Sequence, residues 1–125
     1  MSALHPVLVV EDEEMIRESI VEILEDSGYQ PIAAVDGRDA LAKLKTANPR
    51  PCVILLDLMM PGMNGWSFRE RQRGDPELAP IPVIILSANP DLARNARDLD
   101  VADYLEKPLR VAALLERVRH HCPLV

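Results

Sequence analysis

Five short aliphatic runs, each followed by a segment with helical spacing, constrain this chain more than any other feature. The runs cover residues 7–10, 30–35, 52–56, 83–86 and 102–105. Strand-like and helix-like stretches alternate from one end to the other, the pattern of a parallel sheet covered by helices on both faces. The first, third and fourth runs are apolar without alternation, as strands buried on both faces are, and belong at the centre of the sheet. At 125 residues the chain fits a single domain spanning 1–125 with a core of about 6–121, and a compact fold of that size buries roughly two-thirds of the surface its unfolded form exposes.

The helical segments carry their own start and stop signals. The first opens with Asp12 as N-cap and Glu13 and Glu14 in the first turn, turns Ile16, Ile20, Ile23 and Leu24 inward, and stops at Gly28. The second starts near Asp36-Gly37, carries Ala40, Leu41 and Leu44 on one face, and ends before Asn48-Pro49. The third, 64–73, has the polar Gln72 four residues after Phe68, where a second core residue is expected, so its packing reads as weak. The fourth begins at Asn89-Pro90 and offers only Leu92, Ala96 and Leu99 as a buried stripe, which makes it the least firmly anchored. The last places Val111, Leu114, Leu115, Val118 and Cys122 at helical spacing, with Arg110, Arg117 and Arg119 outward.

Composition narrows the function. The net charge of −6 removes the electrostatic attraction behind non-specific nucleic-acid binding. No stretch approaches the ~20 apolar residues of a membrane span, and the start lacks a basic region followed by an apolar signal core, so the chain reads as cytoplasmic. The core is aliphatic, the aromatics being Tyr29, Trp66, Phe68 and Tyr104. Cys52 and Cys122 form no CxxC, zinc spacing or disulfide framework and read as two buried or incidental thiols. His5, His120 and His121 are dispersed and carry no assigned role. Neither GxGxxG nor GxxxxGK[ST] occurs, which argues against nucleotide binding, and Gly62 and Gly65 read as turn residues.

Polar residues gather at the ends of the strand-like runs. Glu11 and Asp12 follow the first, Asp57 ends the third, Ser87 the fourth, and Lys107 follows the fifth. In an open α/β sheet these positions share the carboxyl edge, where such folds bind ligands. Glu11 and Asp12 either cap the first helix or ligate a cation. Asp57 favours the cation, because no helix follows it at once and three converging carboxylates repel unless a hard divalent ion such as Mg²⁺ joins them. Ser87 and Lys107 can then hydrogen-bond and neutralise a phosphoryl group on the same edge. A carboxylate is a competent nucleophile for that group.

With Glu11-Asp12, Asp57 followed by Met60-Pro61-Gly62 and Gly65, Ser87-Ala88 and Lys107-Pro108 in this order and spacing, the chain resembles the receiver domain of two-component response regulators, from Val7 to about Val118. The resemblance implies an α/β fold of (βα)5 type, a doubly wound, flavodoxin-like five-stranded parallel sheet with strand order 2-1-3-4-5. It implies Asp57 as phospho-acceptor, and Mg²⁺ or Mn²⁺ held by Asp12, Asp57 and the Met59 carbonyl, with Glu11 acting through a metal-bound water. Lys107 would pair with the acceptor carboxylate and then with the phosphoryl group. Ser87 would bond a phosphoryl oxygen and, with Tyr104, form the conformational switch. Lys107-Pro108 would be a cis peptide. The phosphate would come from a sensor histidine kinase or histidine phosphotransfer protein. The readout would be a downstream protein bound through the fourth helix, fifth strand and fifth helix, with the chain a monomer or a phosphorylation-dependent dimer. Such a chain is no enzyme beyond catalysing its own phosphoryl transfer and slow self-dephosphorylation.

Two departures stand out. Glu11 is one methylene longer than the aspartate common in the family, and the stretch from Ser87 to Lys107 is about two residues short. Two other readings compete: an interaction module of the same fold not regulated by phosphorylation, and a metal phosphatase with an aspartyl-phosphate intermediate. The phosphatase wants a second acid where Met59 stands. No output segment accompanies the domain, and the tail from His120 to Val125 reads as an ending, so a stand-alone receiver is the expectation.

Overall fold

A computed structural model describes residues 5–58, 64–89 and 91–124, without the side chains of 92 and 93. Met59, Met60, Pro61, Gly62 and Pro90, which enter the sequence reading, lie outside the described residues. The elements follow one another as β1 (Pro6–Val10), α1 (Glu14–Asp26), β2 (Gln30–Ala34), α2 (Gly37–Thr46), β3 (Val53–Asp57), α3 (Gly65–Arg73), β4 (Val83–Ser87), α4 (Leu92–Asp98), β5 (Asp103–Glu106) and α5 (Val111–His121). The strands form one parallel sheet in the order β2-β1-β3-β4-β5, as the resemblance implies.

Alternation along the strands sorts the core into two layers. Val7, Val9, Val53, Leu55, Ile84 and Leu86 face α1 and α5, where they meet Ile20, Leu24, Leu114 and Val118. Leu8, Val10, Ile54, Leu56, Val83 and Ile85 face α2, α3 and α4, where they meet Ala40, Leu44, Phe68 and Ala96. Each fully buried Leu, Ile or Val contributes roughly 1.5–3 kcal/mol relative to exposure, and the central strands supply most of them.

Local signals explain most boundaries and correct others. Asp36 caps α2 through the Asp39 N–H at 2.8 Å, and Asn64 caps α3 through the Ser67 N–H at 3.0 Å. Gly28, at φ 93°, supplies the left-handed turn that ends α1. Asp12 does not cap α1: the N-cap position falls on Glu13, with no side-chain cap bond. The helix beginning assigned to Asn89 is also displaced. The Asn89 side chain instead accepts the Asp91 N–H at 2.8 Å, and α4 starts at Leu92. Val111 is exposed rather than buried.

Two further expectations fail for reasons that act over long sequence distances. Gln72 is no weak point of α3. It is fully buried, donating to the Leu78 and Ile81 carbonyls, both at 3.0 Å, and accepting from Arg69 Nη1 at 2.9 Å. Arg69 in turn donates to the Leu99 carbonyl at 3.0 Å and to that of Asp100, so one polar network ties α3 to the segment before β4 and to the end of α4. Cys52 and Cys122 are not incidental thiols. The approach to β3 and the end of α5 meet at the amino edge of the sheet, and the two cysteines are joined there as a disulfide with a Cα separation of 5.5 Å.

The Lys107-Pro108 peptide is cis, as the resemblance implies, and so is Asn48-Pro49. No helix among the described residues is long and apolar enough to cross a membrane.

Candidate functional site

Strand register assembles the site. β1 and β3 pair Val10 with Leu56, so the next residues, Glu11 and Asp57, leave the sheet side by side. Both continue the alternation that faces α1 and α5. β4 pairs Ser87 with Glu106 of β5, and the Lys107 N–H donates to the Ser87 carbonyl at 3.0 Å, extending that ladder by one residue. The Glu11 N–H likewise donates to the Ala34 carbonyl at 3.1 Å. Each polar residue is therefore fixed by the backbone that precedes it.

Glu11, Asp12 and Asp57 each offer a carboxylate oxygen, and the three oxygens lie within 4.8 Å of one another. Glu11 and Asp57 are buried while Asp12 is exposed. Lys107 Nζ sits 2.6 Å from Glu11 Oε1 and 3.6 Å from Asp57 Oδ1. Burial acts to raise the pKa of Glu11, but its hydrogen bond with Asp57, the bond and charge of Lys107 and the Glu13 N–H outweigh it, holding the carboxyl below its ordinary value. For Lys107 burial acts to lower the pKa, and the hydrogen bond to Glu11 with the charges of both carboxylates raises it above the ordinary lysine value. The ammonium is thus firmly protonated.

Residues the sequence reading passed over hold the frame. Arg17, one turn into α1, donates from Nη1 to the Glu11 carbonyl at 3.0 Å and to that of Asp12 at 3.2 Å, fixing the turn that presents both acids. Its spacing from Glu11 carried no recognisable signal. Gly65 does more than relieve a turn. Its N–H donates to the Leu58 carbonyl at 3.1 Å, and a Cβ there would stand 2.7 Å from Leu58 Cα and 2.9 Å from the Asp57 carbonyl oxygen. Only glycine lets α3 approach the acidic strand end so closely.

Ser87 is buried, and its hydroxyl oxygen accepts the Asn89 N–H at 3.0 Å. Tyr104 lies on β5, the edge strand, and is 44% exposed. Glu11, Asp12, Asp57, Ser87 and Lys107 all line one open cavity at the carboxyl edge, with Asn89 beside them. The structure therefore brings together every candidate site residue within its described part except Tyr104, which pairs with Ile85 of β4 and does not line the cavity.

The oxygen-only donor set, two of its carboxylates buried and a lysine beside them, suits a hard divalent cation. Residues 7–119 match the family model of the response regulator receiver domain. The chain belongs to that family. The receiver is 36% identical over 115 residues to the phosphate regulon transcriptional regulatory protein PhoB of Escherichia coli K12, the match covering 90% of this chain and 49% of that protein. It is 35% identical over 115 residues to the response regulator MprA of Mycobacterium tuberculosis H37Rv, covering 90% of this chain and 48% of the other. The chain thus spans about half the length of these relatives. Among solved structures, the Vibrio cholerae chemotaxis protein CheY4 superposes with a TM-score of 0.86 at 31% identity, covering 95% of this chain and 99% of that one.

Proposed function

We propose that this receiver accepts a phosphoryl group on Asp57 from a phosphohistidine of a sensor kinase or phosphotransfer protein, and that acceptance changes which protein it binds. The observation that carries the reading is the convergence of Asp57, Glu11, Asp12 and Lys107 at one strand edge. Glu11, Asp12 and Asp57 would hold Mg²⁺ or Mn²⁺, Glu11 through water. When bound, that ion would offset the negative charge of the acids and of the incoming phosphoryl oxygens. The Met59 carbonyl, the remaining ligand the family implies, lies outside the described residues.

The chain's own groups define the transfer. An Asp57 carboxylate oxygen attacks phosphorus in line, the P–N bond of the donor breaks, and its electron pair returns to the imidazole nitrogen. Lys107, held protonated by Glu11 and Asp57, is positioned to follow the charge onto the phosphoryl oxygens. The Ser87 hydroxyl can rotate from the Asn89 N–H to donate to a phosphoryl oxygen. Tyr104 would then turn inward from its exposed position, and the seven-residue α4 beside it would shift.

Access for a partner is also provided. An apolar groove between α1 and α5, lined by Met15, Ile16, Ile20, Pro108, Leu109 and Val111, opens beside Lys107, and Met15 is 78% exposed there. A donor protein seated in it would lie next to the acidic cavity, with which the groove shares Glu13 and Lys107.

The test is incubation with a small acyl-phosphate donor and Mg²⁺ followed by intact mass spectrometry. One base-labile phosphoryl adduct is expected on the wild-type chain and none on Asp57→Asn. No adduct, or one that survives the substitution, overturns the reading.

A further inference from the structure

The joined cysteines lie at the amino edge of the sheet, opposite the acidic site, and play no part in phosphoryl transfer. Cys52 immediately precedes β3 and Cys122 immediately follows α5, 70 residues on. Their surroundings differ in a way that matters chemically. Cys122 is 2% exposed, whereas Cys52 is partly open to solvent. Cys52 is therefore the cysteine that a small molecule can approach from solvent.

Both cysteines are held in place by bonds that do not depend on the disulfide. The Cys52 N–H donates to the Pro6 carbonyl at 2.9 Å, and the Cys122 N–H to the Val118 carbonyl at 2.8 Å. The buried Tyr29 hydroxyl donates to the Cys122 carbonyl at 2.9 Å. Each sulfur also has a partner for its reduced form. Pro6 O, 3.2 Å from Cys52 Sγ, can accept an S–H there, and His5 Nδ1 lies 3.9 Å from Cys122 Sγ. His5 itself is anchored, its carbonyl accepting the Gln30 N–H at 3.1 Å. The site is built to persist whether the sulfurs are joined or not.

We propose that Cys52 and Cys122 form a reversible thiol–disulfide site that exchanges with low-molecular-weight disulfides, with Cys52 as the reacting sulfur and Cys122 as the resolving one. In the oxidising direction the Cys52 thiolate attacks one sulfur of the small disulfide and expels a small thiolate, giving a mixed disulfide. The Cys122 thiol then gives its proton to His5 Nδ1 as its sulfur attacks Cys52 Sγ and expels the second small thiolate, which takes up that proton. Two protein thiols and one small disulfide become one protein disulfide and two small thiols, so electrons and protons balance. In the reducing direction a small thiolate attacks Cys52 Sγ, and the Cys122 thiolate leaves beside His5. Closing the bond pins the end of α5, the helix whose other end follows Lys107, to the strand that carries Asp57.

The experiment treats the fully reduced protein with oxidised glutathione and follows thiols by intact mass and by peptide mapping. The wild-type chain is expected to lose two hydrogens and keep no glutathione. Cys122→Ser is expected to trap one glutathione on Cys52. Cys52→Ser is expected to stay unmodified while folded, and to react at Cys122 once denaturant is added, which shows that the thiol is present. Circular dichroism of the three reduced proteins establishes that each is folded. The oxidised wild type should melt on the order of 10 °C above its reduced form, given the long loop the bond closes, and Cys52→Ser should show no such rise. Glutathione retained by the wild type, equal modification of the two folded variants, or an unreactive wild type overturns the proposal.

Discussion

Lys107 Nζ lies 2.6 Å from Glu11 Oε1, although 96 residues separate the two in sequence. The contact holds the ammonium between Glu11 and Asp57, where it offsets two buried carboxylates before any phosphate arrives. Lys107→Met keeps the apolar stem and removes the charge. Because losing one preorganised electrostatic contact of this kind typically costs about 10²-fold in rate, acyl-phosphate formation from a small donor should slow by that order. Initial rates by mass spectrometry measure it. An unchanged rate would reduce Lys107 to a counter-ion for Glu11.

A cation held by the carboxylate cluster would stabilise the folded chain. A tenfold excess of Mg²⁺ over its dissociation constant should add about 1.4 kcal/mol to unfolding, by mass action on the folded state. Urea titrations with and without Mg²⁺ read the difference. Asp12→Asn removes an exposed donor from the cluster without disturbing the core, and should abolish most of the gain. A gain that persists in Asp12→Asn places the cation elsewhere.

Gln72 donates to two buried carbonyls, those of Leu78 and Ile81, and accepts from Arg69. Gln72→Leu would fit the helical pattern better and still cost about 3 kcal/mol, because it strands buried polar groups on three residues. Chemical denaturation gives the value. A stabilised variant would show that the apolar pattern, not the network, governs this face of α3.

That network marks the limit of what the sequence made legible. The strands and the strand-end placement of Glu11, Asp12, Asp57, Ser87 and Lys107 were readable because each residue ends or follows a run whose end is visible locally, while the full sheet order came with the resemblance to the receiver family. Gln72 read as a packing flaw because its partners, Leu78 and Ile81, belong to an irregular segment with no periodicity. Cys52 and Cys122 read as unrelated for the same kind of reason: their meeting depends on where α5 ends against the sheet, which neither local composition nor spacing records. Asp12 satisfied the rules for an N-cap, and yet the turn held by Arg17 sends it towards the acidic site instead.

The groove beside Lys107 separates two routes to the same acyl phosphate. A small donor needs only the carboxyl-edge cavity, while a phosphohistidine protein needs a surface as well. Met15→Glu places a charge on the exposed rim of the groove, outside the acidic site. Transfer from a phosphorylated partner should fall about tenfold, a charge in place of an exposed apolar contact costing on the order of 1 kcal/mol of partner binding, while labelling by the small donor stays unchanged. If both fall together, Met15 acts on the site itself.

Tyr29 gives a dependence on alkaline pH. Burial pushes its hydroxyl above the ordinary tyrosine value of 10.0, against the opposing charge of Arg119, and the proton it keeps is the one donated to the Cys122 carbonyl. A folded-state pKa above the unfolded one means that the folded chain holds the proton more tightly. The resulting stability is fully present below about pH 10 and is lost as pH rises through the folded value. Tyr29→Phe lacks both the hydrogen bond and the titration. It should be less stable than the wild type by about 1 kcal/mol near neutrality, the usual net worth of such a bond. Urea unfolding of the two proteins at about pH 8 and about pH 11 should show that gap narrowing at the higher pH, since only the wild type has this proton to lose. A gap constant across that range would mean that the Tyr29 hydroxyl titrates alike in the folded and unfolded chains.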